Sequence, residues 1–388
     1  MRRINQKGSI TLFAVIVIVP AVIIAMVLAH AGNRALSVAI LEHRLRVSVM
    51  TVAASFNQKL LEDYGIYGVL EGEYGQAIEV QYGKSLGEKD SLCLAILAAG
   101  GNQAPLMAVK RVIGKLEAIF SYSGEALEIM DTASEQVGEI ISKSISSVVG
   151  ENLPEVNLKD IVTGVKNLAS ALGENWSYVD WTWAWNQEGQ FNISGILSQA
   201  RQYFLRVQNW KAGKEIEKSV AYTAYVMSYF SYYGNGVSRE AVLPSSEVEY
   251  CIFGKVNGAL NVVNSFSEIY KMRVAINFVD YLVTLEIPEP ETLVICAAVL
   301  ALIAATTDIL TLMAGESLAL SPYLDMVDTD YEDYIIMLLF FEPSSAVLAR
   351  IGNVINMNLK AGEGKGLSCY YTSITATCDG KEYSYEYR

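Results

Sequence analysis

The stretch Ile10–Ala29, I-T-L-F-A-V-I-V-I-V-P-A-V-I-I-A-M-V-L-A, limits what this chain can be more than any other segment. It carries no charge, and its only hydroxyl is Thr11. About 20 apolar residues rising 1.5 Å each match a bilayer hydrocarbon core of roughly 30 Å. A helix in a globular core does not need so uniform a surface. The segment therefore predicts a membrane-spanning helix over residues 10–30, in contact with the lipid bilayer. Arg2, Arg3 and Lys7 precede it with no acid among them. That short basic leader favours an N-terminus inside and the remainder outside the membrane. The expectation is a single-pass protein of the cell membrane.

Charge separates the two parts of the chain. The total is -13, but residues 1–30 hold three basic and no acidic side chains. The remainder sets 26 basic side chains against 42 acidic ones. Such an acidic passenger argues against nucleic acid as a partner and against docking on anionic lipid.

The helical pattern continues past the span. Leu41, Leu45, Val49, Val52, Phe56 and Leu60 fall three or four apart, one apolar stripe on a helix. The helix is expected to end near Tyr64-Gly65, with bends at Pro20 and at Gly32-Asn33. The chain then divides into a basic leader (1–9), a transmembrane helix (10–30), an amphipathic stalk helix (31–63) and an extracytoplasmic body (64–388). The predicted fold class is α+β, mostly helical, with a small antiparallel sheet and a C-terminal β-hairpin.

Two resemblances rest on particular residues. Lys7-Gly8-Ser9-Ile10-Thr11-Leu12-Phe13, followed by Pro20, is similar to the N-terminus of TadE/TadG-like pilus-assembly proteins. A lipid-embedded half followed by an amphipathic half resembles the first helix of type IV pilin-like proteins. In that group a Gly ends a short basic leader, so the resemblance marks Gly8 and Ser9 as a processing site. The prepilin pattern has Glu five residues after that Gly, where this chain has Phe13. Ala29-His30-Ala31 spells the rival cleavage site of a secretory signal, although the apolar stretch is longer than such signals use. A broader likeness joins Leu60–Tyr67, Glu247–Gly254, Arg273 with Asn277, and Tyr331–Tyr334, in that order. Together they resemble an uncharacterised TadE/TadG-like family of membrane-anchored proteins from Gram-positive anaerobes. That likeness implies an extracytoplasmic body and protein partners in an envelope assembly.

Along the body, Ala77–Tyr82 alternates as a strand. Residues 105–149 read as helical, interrupted by Ser and Gly at 121–124, with Ile113, Leu116 and Phe120 on one face. A short helix is expected over 154–172. Trp181, Trp183 and Trp185 alternate and, as a strand, would share one face. They read either as a glycan or partner contact or as an aromatic cluster closing the core. Asn192 or Ser194 can cap a helix running to about Tyr233, stopped by Gly234-Asn235-Gly236. Its Tyr222, Tyr225, Tyr229 and Tyr232 read as a packed stripe. Glu247–Phe253 alternates acid and apolar and is expected to be a strand turning at Gly254. Glu247 and Glu249 would then face solvent or a basic partner.

Helices are expected at 259–285, 290–319, 331–341 and 344–358. Arg273 lies five residues from Glu268 among apolar neighbours. It predicts a buried structural ion pair with Glu268, or hydrogen bonds to loop carbonyls. Leu293–Thr307 is a second apolar run, read as a core helix of the body or as a short second span. Asp379-Gly380 signals a two-residue hairpin, placing Ile374 opposite Tyr385 and Ala376 opposite Tyr383. Cys369 and Cys378 would share one of its strands, too far apart for a disulfide.

Signals for catalysis are weak. The only histidines, His30 and His43, lie on the N-terminal helix, away from any buried triad. Five scattered cysteines form no C-x-x-C pair, so no zinc site is expected. Gly362–Gly366 lacks the P-loop spacing and reads as a loop. Asp325, Asp328, Asp330, Glu332 and Asp333 fail the EF-hand pattern and read as acids at a helix start. The expectation is a non-enzymatic envelope protein without cofactor or metal; the alternative is a tethered wall-glycan-binding module using the three Trp.

Overall fold

The computed structural model describes residues 6–72, 79–100, 103–140, 145–153, 163–164, 180–185, 191–210, 215–321 and 328–387. The chain forms two compact units. The first comprises residues 1–61, 67–91 and 368–388; the second comprises 62–66 and 92–367. Residues 64–388, expected as one body, thus divide between both.

The first unit is built on α1 (Gln6–Ala54), 49 residues without interruption. Its backbone stays helical through Pro20 and through Gly32-Asn33. The helix stops ten residues earlier than the apolar stripe suggests. The Ser55 N–H and hydroxyl both turn back onto the Val52 carbonyl. Asn57 Oδ1 then accepts from the Leu60 N–H and starts a separate short helix, α2 (Gln58–Tyr64). Competition from these local polar side chains ends the helix where apolar spacing alone would extend it.

Among the described residues, five strands belong to this unit: β1 (Val69–Leu70), β2 (Glu79–Tyr82), β5 (Tyr370–Tyr371), β6 (Ser373–Cys378) and β7 (Lys381–Glu386). β2, β6 and β7 form an antiparallel sheet in that order, and β1 pairs with β5. The hairpin has the expected register, Ile374 opposite Tyr385 and Ala376 opposite Tyr383. Asp379 and Gly380 both take positive φ (49° and 75°), as a two-residue turn of matching twist requires. Leu45, Val49, Val52 and Ala53 of α1 pack on Ile374, Ala376 and Val69 as one core. Leu41 and Phe56 lie at its margin, so the sequence stripe is the packed face. Cys369 sits in a 3₁₀ turn (Leu367–Cys369) and not on the strand of Cys378; both thiols are free.

The second unit is helical. α3 (Lys89–Ala99), α4 (Gln103–Ile140), α5 (Ile145–Asn152), α6 (Ile193–Asn209) and α7 (Ile216–Tyr229) are followed by α8 (Glu247–Phe253). Then come α9 (Gly258–Thr284), α10 (Pro290–Met313), a two-residue ladder of β3 (Leu318–Ala319) with β4 (Asp328–Thr329), α11 (Tyr331–Phe341) and α12 (Ser344–Glu363). α9 lies along α10, and α4 packs on α6, α7 and α10.

α4 runs unbroken through 121–124, where the Ser121 and Ser123 hydroxyls donate back to the Glu117 and Phe120 carbonyls. Its buried face is Val112, Leu116, Ile119 and Met130, while Phe120 is exposed. The helix capped by Asn192, which accepts from Gly195 N–H, breaks after Asn209 into two. α7 stops at Tyr229, short of Tyr233. Tyr222 and Tyr225 are buried, and Tyr232 lies beyond the helix end. α12 runs on to Glu363 and is capped by Gly364 at φ 68°, so only the end of 362–366 is loop. The helix expected at 154–172 and Asp325 lie outside the described residues.

The largest correction is α8, a helix where alternation suggested a strand. Gly254 is its left-handed C-cap (φ 68°), donating its N–H to the Tyr250 carbonyl. Alternation reports a strand only when one face is wet. Here Glu247–Ile252 are all buried, acids included.

Candidate functional site

Among the described residues, two helices are long and apolar enough to cross a membrane: Pro20–Ala54 of α1 and Pro290–Met313. They differ in what covers them. The most apolar window of α10 is 61% buried inside the protein; that of α1 is 0% buried. Val22, Ile23, Ile24, Met26, Val27 and Leu28 are all exposed, around the full turn of the helix. Gly8 and Ser9 lie in the first turns of α1.

Among the described residues, the buried charges of the second unit gather in five centres, around Glu247, Glu249, Asp308, Asp333 and Asp280; in the last, Asp280 accepts from the Ser321 hydroxyl at 2.8 and 2.9 Å. In the first, Glu247 is fully buried and accepts from Ser231 N–H (2.9 Å), the Ser231 hydroxyl (3.0 Å) and Asn358 Nδ2 (2.6 Å). Arg239 grips both of its oxygens, at 3.0 and 2.9 Å, and lies over the Tyr64 ring at 4.7 Å. Two residues along the same helix, Glu249 accepts from Tyr233 N–H and from the Tyr331 hydroxyl, both at 2.8 Å. The i, i+2 spacing of the two acids thus catches alternate N–H groups of the segment 231–233 that follows α7. The sequence spacing that imitates a strand is matched to Ser231 and Tyr233, two residues apart on the neighbouring segment. Glu249 Oε2 is buried without a partner among the described residues. Burial pushes the Glu249 carboxyl up to about 7.

In the third centre, Arg273 pairs with Asp308 at 2.7 Å and also donates to the Ala319 and Leu320 carbonyls and the Tyr334 hydroxyl. The expected partner Glu268 instead binds Lys271 at 2.8 Å and lies 3.6 Å from Arg206. A helix places i and i+5 about 140° apart, so Glu268 cannot share the inward direction of Arg273. Asn277 joins the centre by donating to Asp308 at 2.9 Å. In the fourth, Asp333 receives Lys115 at 2.6 Å and Arg111 at 2.7 Å while closing a capping box with Asp330. The acids 328–333 therefore act at a helix start, with Asp330 as N-cap.

Trp181, Trp183 and Trp185 do not form a strand. Residues 182–184 are a turn, and Trp185 makes an isolated bridge to Phe191. The rings of Trp183 and Trp185 both contact that of Trp181, at 6.2 and 5.8 Å, and Trp181 and Trp183 pack against Tyr270. Trp183 is buried, and its indole N–H and that of Trp185 have no partner among the described residues.

His30 and His43 are exposed on α1. Among the described residues, no three His, Cys, Asp or Glu side chains gather to hold a metal ion. A cavity of about 460 Å³ is lined in part by Ser245 and Ser246. Its lining is otherwise Tyr233 and apolar or glycine residues, with no acid, histidine or lysine to activate a serine. Sequence spacing missed Arg239, Lys115 and Asp308, whose partners lie 8, 218 and 35 residues away. The first is local enough to have been sought; the others depend on helices meeting in space.

Residues 129–315, all within the second unit, match a family described as "Family of unknown function (DUF5702)". No curated protein and no solved structure matches the chain.

Proposed function

We propose that this chain is a non-enzymatic, membrane-anchored component of a cell-envelope assembly, of the TadE/TadG-like, pseudopilin-like kind. α1 is its anchor, with the N-terminus inside and the acidic units outside. The observation that carries this reading is the change of environment along one helix. From Pro20 to Leu28 every side chain of α1 is exposed; from Leu41 onward one stripe packs on the β2-β6-β7 sheet. Leaving six large apolar side chains in water costs on the order of 10 kcal/mol relative to burial. Lipid removes that cost without asking for a protein partner. Most buried charges of the second unit are held by arginine, lysine, hydroxyl and backbone groups, which suits a scaffold presented to other proteins.

The test is membrane fractionation with mass spectrometry of the mature N-terminus. The expected product stays with the membrane after alkaline carbonate washing and is released by detergent. A start at Ser9 supports pseudopilin-like processing. A start at Gly32 together with a soluble product overturns the anchor. Protease added to intact cells is expected to degrade the acidic units; full protection overturns the orientation.

A further inference from the structure

Between residues 31 and 54 the large apolar side chains of α1 that are exposed are Leu36, Ile40, Val47 and Met50. They do not scatter. At 100° per residue they fall within about 80° of arc, on the side opposite Leu45 and Val49, which face the sheet. Counting in steps of four and three, the seam runs Leu36, Ile40, His43, Val47, Met50, Ala54. Backwards it continues through Asn33, Ala29, Met26 and Val22 into the fully exposed half. All these positions are exposed, and the 4-3 alternation holds without a break. That is the a/d repeat of a coiled coil, with a at 33, 40, 47 and 54 and d at 36, 43 and 50.

We infer that this outer seam joins two copies of the chain as a parallel, in-register coiled coil; the parallel sense rests on both copies being anchored in one membrane. The choice of residues specifies the number of strands. β-branched Ile40 and Val47 stand at a, and unbranched Met50 with Leu36 at d, the distribution that favours two helices. Asn33 is a lone polar residue at a, the device that fixes register and pairing. The flanks agree. In parallel register Ala39 faces Arg44 of the second copy, and Arg46 faces its Thr51, so no like charges meet along the seam. A shallow depression of about 440 Å³ is lined by His43, Arg46, Val47, Met50, Thr51 and Ala54. Those six residues make up two consecutive four-residue holes of the kind that facing knobs enter.

The dimensions suffice. From Val22 to Ala54 the seam is about 50 Å long at 1.5 Å per residue. A strip one helix wide along it gives on the order of 550 Å² per copy, or 1,100 Å² in all, the lower edge of a specific interface. Confinement of two anchors to one bilayer raises their effective concentration further.

The experiment uses the full-length chain in its native membrane and in detergent. Leu36→Cys and Met50→Cys, both at d, are expected to give a disulfide-linked dimer on mild oxidation, above the background set by the native cysteines. Arg34→Cys and Glu42→Cys, off the seam, are expected to stay at background. Ile40→Lys combined with Val47→Lys is expected to convert a dimer to a monomer by light scattering. The variant should keep the far-UV circular dichroism of the native chain, since neither side chain belongs to the core packed on the sheet, while its thermal midpoint loses the dependence on protein concentration that a dimer shows. Equal crosslinking on and off the seam, an adduct of a different mass, or a monomer before mutation each overturns the inference. Carbonate washing of the same membranes separates this outcome from the anchor reading: a soluble chain that still crosslinks at d keeps the seam and loses the membrane.

Discussion

Glu249→Gln should make the protein more stable at pH 8 and nearly indifferent at pH 5. Glu249 is fully buried on α8, and burial raises its carboxyl from 4.5 to about 7. Glu247, two residues away and held by Arg239, adds to the rise as a neighbouring negative charge. In the unfolded chain the group loses its proton near 4.5; in the folded chain it keeps it to about 7. Between those values the folded state binds more protons, so stability falls as pH rises and levels off above 7. A separation of about 2.5 units at 1.36 kcal/mol per unit makes the loss about 3 kcal/mol.

Glutamine keeps one oxygen to accept from Tyr233 N–H and the Tyr331 hydroxyl. Its amide nitrogen occupies the place of Oε2, which has no partner among the described residues. The protonated carboxyl of the native protein faces the same lack, so that cost cancels at pH 5. The assay is thermal unfolding of detergent-solubilised chain and variant by far-UV circular dichroism at both pH values. At about 2–4 °C per kcal/mol for a unit of this size, the variant should melt roughly 6–12 °C above the native protein at pH 8. Asp280 and Glu332, also raised by burial, are common to both proteins and drop out of the difference. Parallel pH dependences for the two proteins would refute the reasoning.

Arg239→Ala strands Glu247 in a buried site and should cost about 3–5 kcal/mol, whereas Arg239→Met combined with Glu247→Gln should recover most of it; a double-mutant cycle in denaturant checks this. Leu45→Ala, in the core between α1 and the hairpin, should cost about 2–5 kcal/mol, and Arg34→Ala, exposed on the same helix and off the outer seam, less than about 0.5 kcal/mol. Gly254→Ala should destabilise by at least about 1 kcal/mol: the residue caps α8 at φ 68°, and the new methyl would stand 3.1 Å from Arg350 Nε. Thermal melts of each variant give the answer.

The elements of this fold were legible where one physical signal acted alone. α1 follows from its apolar run and the stripe after it, strong enough to carry the helix through Pro20 and Gly32-Asn33, the hairpin from Asp379-Gly380 between alternating strands, and α9, α11 and most of α10 from long apolar periodicity. Legibility failed where two signals met. Glu247–Phe253 alternates like a strand and folds as a helix, because its acids are buried against the 231–233 backbone. The stripe of α1 extends on paper to Leu60, yet the hydrogen bonds of Ser55 and Asn57 end the helix first. Arg273 was identified as buried, but its acid came from α10 and not from its own helix. The outer seam was present in the spacing of Leu36, Ile40, Val47 and Met50; only their exposure separates it from the packed stripe.

Taken alone, the amino-acid order determined that a charge-free segment of some 20 residues needs an apolar surrounding, and that an amphipathic helix follows it. Those are properties of neighbours along a chain, and local spacing is enough to read them. The partners were decided in three dimensions. Leu45 and Val49 of the first helix meet Ile374 and Ala376 of the last hairpin, more than 300 residues away, and Lys115 meets Asp333 across 218. Burial makes those pairings count, since a charge or a methyl group gains its worth from what excludes water around it, and no spacing rule reports that.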